Sequence, residues 1–189
     1  MEKKWLVVGM CGVTCGGKTS IVKQLKEDFP GIVVIAQDDY FFPPEAPSHV
    51  VIPELNHVNY ELMSSLDMER MRKDIQKALD LQPTHKQWPV LIIEGFAIYR
   101  DSWITELCDL RFFLTLDREE CYRRRIVRVY EPPDPPGYFE LAVWPEYLKI
   151  AQEAFSLPGI IELDGQRSQK ETRAVVVQHI QEQLKSRSK

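Results

Sequence analysis

The chain contains five short apolar runs, separated for the most part by stretches in which apolar residues recur at helical spacing. The runs are rich in β-branched and aromatic side chains, which is typical of strands buried on both faces. They cover residues 5–8, 32–35, 90–93, 110–116 and 160–163. This alternation of strands and helices predicts an α/β fold in which a parallel sheet lies between two layers of helices.

Three helix-start signals support this division. Asp67 precedes a helical pattern, and Asp117 is followed three residues later by Glu120. Ser168 and Glu171 have the spacing of a capping box, in which each side chain satisfies a backbone amide at the start of a helix. Helices are therefore predicted to begin directly after residues 67, 117 and 168.

The segment after the first apolar run, residues 12–19, fits the phosphate-binding pattern G-x-x-x-x-G-K-[ST]. Glycines let successive backbone N–H groups point into one concavity that binds phosphate oxygens. A strand before the loop and a helix after it would place the phosphates at a helix N-terminus, which favours anions. The sequence therefore predicts a nucleotide site. Its residues are Gly12, Val13, Thr14, Cys15, Gly16, Gly17, Lys18, which reaches the β- and γ-phosphates, and Thr19, which ligates Mg²⁺.

Acidic residues follow two of the predicted strands. Asp38 and Asp39 come after the second run, and Glu94 after the third. Ligands of parallel sheets bind beyond the carboxyl ends of the strands, so these carboxylates are candidates for the site. If strand geometry continues, Asp38 and Asp39 point to opposite faces and only one of them meets the phosphate loop. Glu94 resembles a Walker-B acid, which orients a reacting group or holds Mg²⁺; the alternative is a carboxylate that caps a turn.

A cluster of arginines follows Asp117. The pattern predicts a helix that carries Arg123, Arg124, Arg125 and Arg128, with Arg124 and Arg128 on one face. The helix leads into a stiff, proline-rich turn at residues 130–137. We interpret the arginines as part of a mobile lid, because phosphoryl transfer spreads negative charge over the γ-phosphoryl oxygens. The alternative is a solvated charged face. Residues 43–58 show no clear period and predict an irregular loop with His49 and His57 on the surface.

Composition narrows the class of protein. A length of 189 residues predicts one domain spanning residues 1–189. A net charge of −4 disfavours nucleic acid as a partner. Glu2, Lys3 and Lys4 interrupt any signal-peptide pattern, and no apolar run approaches the length of a membrane span. We therefore expect a cytoplasmic monomer without a membrane or nucleic-acid partner. Its four cysteines form no C-x-x-C pair and are expected to be reduced thiols.

Taken together, these motifs resemble those of the nicotinamide riboside kinases, within the uridine-kinase-like P-loop kinases. The matching stretches are residues 12–19, 37–39 with the aromatics that follow, 92–96, 123–139, 143–145, 147–149 and 164–165. The run RRRIVRVYEPPDPPGYF at 123–139 is the most specific of them, since a phosphate loop alone occurs in many families. The resemblance spans nearly the whole chain and is weakest at residues 43–58 and in the last helix.

The resemblance implies a sheet of strand order 2-3-1-4-5, with ATP and Mg²⁺ as cosubstrate and cofactor. The implied reaction transfers the γ-phosphoryl group of ATP to the 5′-hydroxyl of nicotinamide riboside, which gives nicotinamide mononucleotide for NAD salvage. Residues of about 38–82 would bind this small-molecule acceptor, and residues of about 123–140 would form the lid. Two kinds of alternative remain. One is a kinase of the same fold acting on uridine or another nucleoside, and the other is a nucleotide-dependent switch with little turnover, although the guanine-reading motif N-K-x-D is absent.

The resemblance also implies roles for individual residues. Asp38 would act on the acceptor hydroxyl as the catalytic carboxylate, assisted by Lys18, Arg124 and Arg128 on the phosphates. Mg²⁺ would be held by Thr19, Asp38 and Glu94. Besides the phosphate loop and the two arginines, the nucleotide site would include Val129, Tyr130, Asp164, Gly165 and Gln166. The acceptor site would comprise Asp38, Asp39, Tyr40, Phe41, Tyr60, Glu61, Arg125, Tyr130, Glu131 and Asp134.

Two of these assignments concern specificity. Tyr60 and Tyr130 would sandwich the pyridinium ring, a cation that aromatic faces attract. Arg125 would reach the sugar beside Glu61, a position at which the family usually has an Asp that binds the ribose hydroxyls. The longer side chain of Glu61 is therefore the main departure of this chain from the family pattern.

Overall fold

A computed structural model describes residues 4–85 and 87–187. Its main sheet consists of β1 (Leu6–Gly12), β2 (Val33–Ala36), β5 (Val90–Glu94), β6 (Leu110–Thr115) and β7 (Ile160–Asp164). Strands β3 (Val51–Ile52) and β4 (His57–Val58) form a separate antiparallel hairpin. The α-helices are α1 (Lys18–Asp28), α2 (Met68–Asp80), α3 (Ser102–Leu107), α4 (Arg118–Arg125), α5 (Trp144–Phe155) and α6 (Gln169–Arg187).

The main sheet is parallel throughout, in the order β2-β5-β1-β6-β7. Counted within this sheet alone, that order is 2-3-1-4-5, so the predicted fold is confirmed. In the register of β1 with its neighbours, Met10 lies opposite Glu94 and Gly12 opposite Leu114. The phosphate loop and the end of β5 therefore come to the same edge of the sheet.

Alternating residues of β1 belong to two different cores, which explains the three layers. Val7 and Cys11 pack with buried residues of α2, α3 and α5. Leu6, Val8 and Met10 pack on the opposite face with residues of α1 and α6. Because β1 is buried along its whole length, it positions the phosphate loop rigidly at its carboxyl end.

All three predicted helix starts are present. The side chain of Asp67 accepts a hydrogen bond from Arg70 N at 2.9 Å, and that of Asp117 accepts one from Glu120 N at 2.8 Å. In the capping box, Ser168 N donates to the Glu171 carboxylate at 3.0 Å, and Glu171 N donates to the Ser168 hydroxyl at 3.3 Å. Each cap satisfies an amide that the helix itself leaves without a partner.

Several local features differ from what the sequence suggests. The strand geometry on which the opposite orientation of Asp38 and Asp39 was conditional does not continue, because residues Gln37–Tyr40 form a 3₁₀ turn. Helix α4 ends at Arg125, which places Arg128 outside it. Residues 43–58 include the β3–β4 hairpin, and His49 and His57 are half-buried rather than fully on the surface.

In the described part of the chain, no helix is long and apolar enough to cross a bilayer.

Candidate active site

A cavity of about 870 Å³ opens at the carboxyl edge of the main sheet, where the phosphate loop, the 3₁₀ turn and residues 123–140 meet. Most of its walls come from the segments that the sequence singles out. The predicted site residues that line it are Thr14, Cys15, Gly16, Gly17, Lys18, Thr19, Asp38, Phe41, Tyr60, Glu61, Arg124, Arg125, Arg128, Tyr130, Glu131, Asp134 and Gly165. One continuous space is therefore bordered by both the nucleotide-binding and the acceptor-binding candidates.

The phosphate loop has the backbone that anion binding requires. Gly12 has a φ of 126°, and a Cβ there would lie 2.2 Å from Leu114 O, so only glycine permits the close approach to β6. Gly17 precedes α1 with a φ of 100°, and within the described residues no side chain caps this helix. Lys18 lies at the start of α1, and its Nζ donates to Gly12 O and Val13 O, each at 2.8 Å. The first turn of α1 thus borders the cavity and begins with a lysine, an arrangement suited to phosphates.

The 3₁₀ turn separates the two aspartates. Asp38 lines the cavity, whereas Asp39 does not, and the carbonyl oxygen of Asp39 accepts a hydrogen bond from Arg70. Tyr40 is buried, and its hydroxyl donates to Asp74 at 3.1 Å. The assignment of Tyr40 to the acceptor site is therefore not supported by its position, and we interpret the residue as a link between the turn and α2.

Glu94 lies beneath the phosphate loop rather than in the cavity wall. Its side chain is buried, and its Oε2 has no hydrogen-bond partner in the part of the chain that the structure describes. Burial raises the pKa of Glu94, while Lys18 and a hydrogen bond with Thr19 act in the opposite direction, and Asp38 is close enough to contribute to the same pKa. Thr19, Asp38 and Glu94 thus form one electrostatically linked group of oxygen donors.

This group fits Mg²⁺. Mg²⁺ prefers oxygen ligands and usually takes one or two carboxylates from the protein, together with phosphates and water. No cluster of three or more metal-binding side chains of the His, Cys, Asp or Glu type occurs among residues 4–85 and 87–187. An orphaned buried carboxylate oxygen next to the Thr19 hydroxyl is the observation that favours a cation here.

The arginines that the sequence assigns to a lid take different positions. Arg124 donates through Nε to Glu120 at 2.5 Å and through Nη1 to Cys15 O at 3.3 Å, so Glu120 aims it at the phosphate loop. Arg128 lies beyond α4, with its guanidinium 5.0 Å from the centre of the Tyr130 ring. Both arginines reach the cavity, although they do not share a helical face as predicted.

Arg125 is the buried centre of an ion-pair network. Its Nε donates to Asp134 at 2.6 Å, and its Nη2 donates to Asp134 at 3.2 Å and to Glu61 at 3.1 Å. Its Nη1 donates to the Thr14 hydroxyl at 3.2 Å. Burial lowers the pKa of Arg125, but the nearby carboxylates outweigh burial and the pKa is raised overall. Glu61 shows the reverse balance, because burial raises its pKa more than Arg125 lowers it.

The two tyrosines expected to stack on the acceptor have unlike surroundings. Tyr60 makes edge contacts with Phe41, His49 and His57, with ring centroids 5.9, 5.3 and 5.8 Å away. The guanidinium of Arg125 lies 4.4 Å from the centre of the Tyr130 ring, in addition to that of Arg128. The Tyr130 hydroxyl lies 3.2 Å from the Thr14 hydroxyl, and burial raises its pKa to about 12. Tyr130 thus already contacts two cations.

Several predicted site residues do not line the cavity. Val129 is 92% exposed, and the Asp164 side chain accepts a hydrogen bond from Gln166 N at 2.9 Å, so it stabilises its own turn. The predicted site residues outside the cavity wall are Gly12, Val13, Asp39, Tyr40, Glu94, Val129, Asp164 and Gln166. Three of these residues still contact residues that line the cavity. The carbonyl oxygens of Gly12 and Val13 accept hydrogen bonds from Lys18, and Glu94 forms a hydrogen bond with Thr19.

Sequence reasoning missed other residues of the cavity wall. Four of them lie inside stretches that carried the resemblance, although no role was assigned to them there: Phe42, Phe96, Pro132 and Tyr138. The remaining ones come from positions with no motif of their own. They are Ser20, Ile21, Lys23, Pro44, Arg167, Gln169 and Thr172.

The sheet order, the phosphate loop at the end of β1 and the two arginines that reach the cavity, Arg124 and Arg128, are features of the P-loop kinases. A gluconokinase from Sinorhizobium meliloti 1021 has the same fold, with a TM-score of 0.60, 16% identity, and coverage of 98% of this chain and 97% of that one. A possible uridine kinase from Bacillus stearothermophilus aligns with a TM-score of 0.54 and 16% identity over 82% of this chain and 88% of its own. No family model matches the sequence.

Curated relatives narrow the class. Nicotinamide riboside kinase 1 of Mus musculus is 38% identical in an alignment that covers 98% of each chain. The Homo sapiens nicotinamide riboside kinase 1 is 36% identical, with coverage of 96% of this chain and 94% of the relative. A uridine kinase of Streptococcus agalactiae serotype V is 27% identical over 71% of this chain and 72% of its own. The chain belongs to the nicotinamide riboside kinase family, and it is a kinase.

Proposed function

We propose that the protein phosphorylates the 5′-hydroxyl of nicotinamide riboside with ATP and so produces nicotinamide mononucleotide for NAD salvage. The observation that carries the proposal is the single cavity, which is bordered by the phosphate loop and by the cluster of Glu61, Arg125 and Asp134. A γ-phosphoryl group on the loop and a ribose hydroxyl near that cluster would share one space, as direct transfer requires. Cytoplasmic location and a monomeric state remain predictions from the sequence.

In the proposed reaction, the 5′-oxygen forms a bond to the γ-phosphorus while the bond from that phosphorus to the β–γ bridging oxygen breaks and ADP leaves. Asp38, which lines the cavity, accepts the hydroxyl proton. Lys18 and Arg124 offset the charge on the transferred group. Mg²⁺ bound near Thr19, Asp38 and Glu94 would neutralise charge on the β- and γ-phosphates.

The acceptor site fits a riboside. The guanidinium of Arg125 supplies N–H donors, and the carboxylates of Glu61 and Asp134 supply acceptors, so the cluster offers both kinds of partner to ribose hydroxyls. The exposed part of Tyr60 offers an aromatic face for a pyridinium ring. Two guanidinium groups already lie over the Tyr130 ring, at 4.4 and 5.0 Å from its centre, and would compete with the pyridinium ring for it. We therefore assign the main stacking role to Tyr60.

The test is to incubate the protein with ATP, Mg²⁺ and nicotinamide riboside and to identify the product by phosphorus and proton NMR. We expect a phosphomonoester on the 5′-carbon and one ADP for each product molecule. Asp38→Asn serves as the matched control and should leave the riboside unchanged. Hydrolysis of ATP without a phosphorylated riboside would contradict the proposal.

A further inference from the structure

Two consecutive residues of the predicted acceptor-binding segment (about 38–82) each form a hydrogen bond with a residue of the predicted lid segment (about 123–140). Tyr60 N donates to the Tyr138 hydroxyl at 2.9 Å, across 78 positions of sequence. Glu61 accepts from Arg125 Nη2 at 3.1 Å, across 64 positions. The second contact belongs to the ion-pair network already described, whereas the first has no role in it. The hydrogen bond between Tyr60 and Tyr138 therefore needs its own explanation.

Tyr138 is fixed more firmly than a surface contact would require. It is 1% exposed and packs in a small core with Val13 of the phosphate loop, Leu116 and Phe139. Its own amide donates to Pro135 O at 3.1 Å, which closes the turn that brings the lid segment back to the body of the protein. Burial raises the pKa of Tyr138, so its hydroxyl stays protonated near neutral pH. A rigid neutral hydroxyl is thus presented to the Tyr60 amide.

The ring of His57 adds a second contact to the same pair. It makes an edge contact with Tyr138, with centroids 5.1 Å apart at 82°, and another with Tyr60, at 5.8 Å and 66°. Burial lowers the pKa of His57, although Asp134 acts in the opposite direction, and the neutral ring is favoured. The backbone amide of Tyr60 is therefore held by the Tyr138 hydroxyl, and its ring contacts His57 of the β3–β4 hairpin.

We propose that Tyr138 is a positioning residue, whose hydroxyl sets the angle at which Tyr60 and Glu61 meet the acceptor by holding the Tyr60 amide. The proposal rests on the proposed function, in which Tyr60 stacks on the acceptor and Glu61 contacts its sugar. Tyr138 anchors in the core that contains Val13, so it ties the acceptor site to the phosphate loop. Loss of the hydroxyl should affect the acceptor and leave the nucleotide almost untouched.

The kinetic test compares Tyr138→Phe with Tyr122→Phe. The first substitution keeps the buried ring and removes only the hydroxyl. The second removes the hydroxyl of a half-exposed tyrosine that touches Phe139 edge-on at 5.1 Å, outside the cavity wall. We expect KM for the acceptor to rise about 3- to 10-fold in Tyr138→Phe, as for one lost hydrogen bond, with KM for ATP within about 2-fold. Tyr122→Phe should match the wild type. Equal increases in both KM values would show general loosening and overturn the proposal.

A second measurement does not depend on any substrate. Amide hydrogen exchange at residue 60 should be slow in the ligand-free wild type and faster by about 10-fold or more in Tyr138→Phe. Fast exchange in the wild type would overturn the proposal, whatever the acceptor is. If the wild type proves inactive on nicotinamide riboside, the proposed function fails by itself. The kinetic comparison then uses the nucleoside that it does phosphorylate, and the exchange result still decides the role of Tyr138.

Discussion

The substitution Glu61→Gln should separate activity from stability. The Glu61 side chain is 13% exposed, and burial raises its pKa despite the guanidinium of Arg125 beside it. Burial in the folded protein therefore disfavours the charged form of Glu61, which is the form that would bind the acceptor. Arg125 keeps two hydrogen bonds to Asp134 when Glu61 is neutral, so it is not left without a counter-charge. We expect the free energy of unfolding at pH 7 to be equal to or higher than that of the wild type.

The expected loss of activity follows from the missing charge. A hydrogen bond to a charged group contributes about 1.5–3 kcal/mol, which corresponds to a decrease of roughly 10- to 150-fold in kcat/KM for the acceptor. KM for ATP should change little, because Glu61 contacts Arg125 rather than the phosphate loop. Steady-state kinetics with each substrate varied in turn provides the assay. Glu119→Gln, an exposed neutralisation on α4, is the control for the change in net charge.

The pH dependence of stability gives the reasoning a second test. A carboxyl group whose pKa is raised by folding stabilises the protein below its unfolded pKa, near 4.5, and loses that contribution as the pH rises through the folded value. Any stability advantage of Glu61→Gln should therefore be largest at pH 7 and vanish near pH 4.5. A drop of about 3 kcal/mol or more at pH 7 would instead mark Glu61 as an essential ion partner of Arg125. Unchanged kcat/KM would show that Glu61 does not contact the acceptor.

Three further predictions concern the transfer step. Glu120→Gln should lower kcat by up to about 10-fold, because Glu120 aims Arg124, while Glu119→Gln should not; equal kinetics in the two variants would remove that role. Asp38→Asn should abolish turnover and retain ATP binding by calorimetry, whereas a parallel loss of ATP affinity would make Asp38 a metal ligand alone. Glu94→Gln should raise the Mg²⁺ concentration for half-maximal rate by roughly 10-fold or more, and an unchanged Mg²⁺ titration would contradict its place near the metal.

The fold was predictable because local patterns determine it. Short apolar runs rich in β-branched residues, such as residues 90–93, favour buried strands, and the phosphate loop indicates which end of the sheet is functional. The 3₁₀ turn at residues 37–40 was not predictable from local pattern. Gln37 is fully buried, and its Oε1 accepts a hydrogen bond from Ala97 N at 3.0 Å, 60 positions away. That distant amide, and not the sequence around Asp38, sets where β2 ends.

Site residues were predictable where a motif requires a particular residue type. They were not predictable where a contact between residues distant in sequence determines their position. Helix α4 ends at Arg125 because Ile126 and Val127 are 61% and 79% exposed and offer no buried face to a further turn. The arginine spacing alone gave no sign of this end. The role of Tyr138 depends on a hydrogen bond across 78 positions, which no spacing rule anticipates.

We expect this kinase to prefer a pyridinium riboside over a neutral nucleoside. The most direct test is kcat/KM for nicotinamide riboside measured beside kcat/KM for uridine, with ATP and Mg²⁺ saturating. A preference of 10²-fold or more, roughly 2.7 kcal/mol in transition-state binding, is the result we predict. Comparable or better use of uridine would contradict it. The fold and the transfer chemistry would then stand, with the acceptor site assigned to a neutral nucleoside.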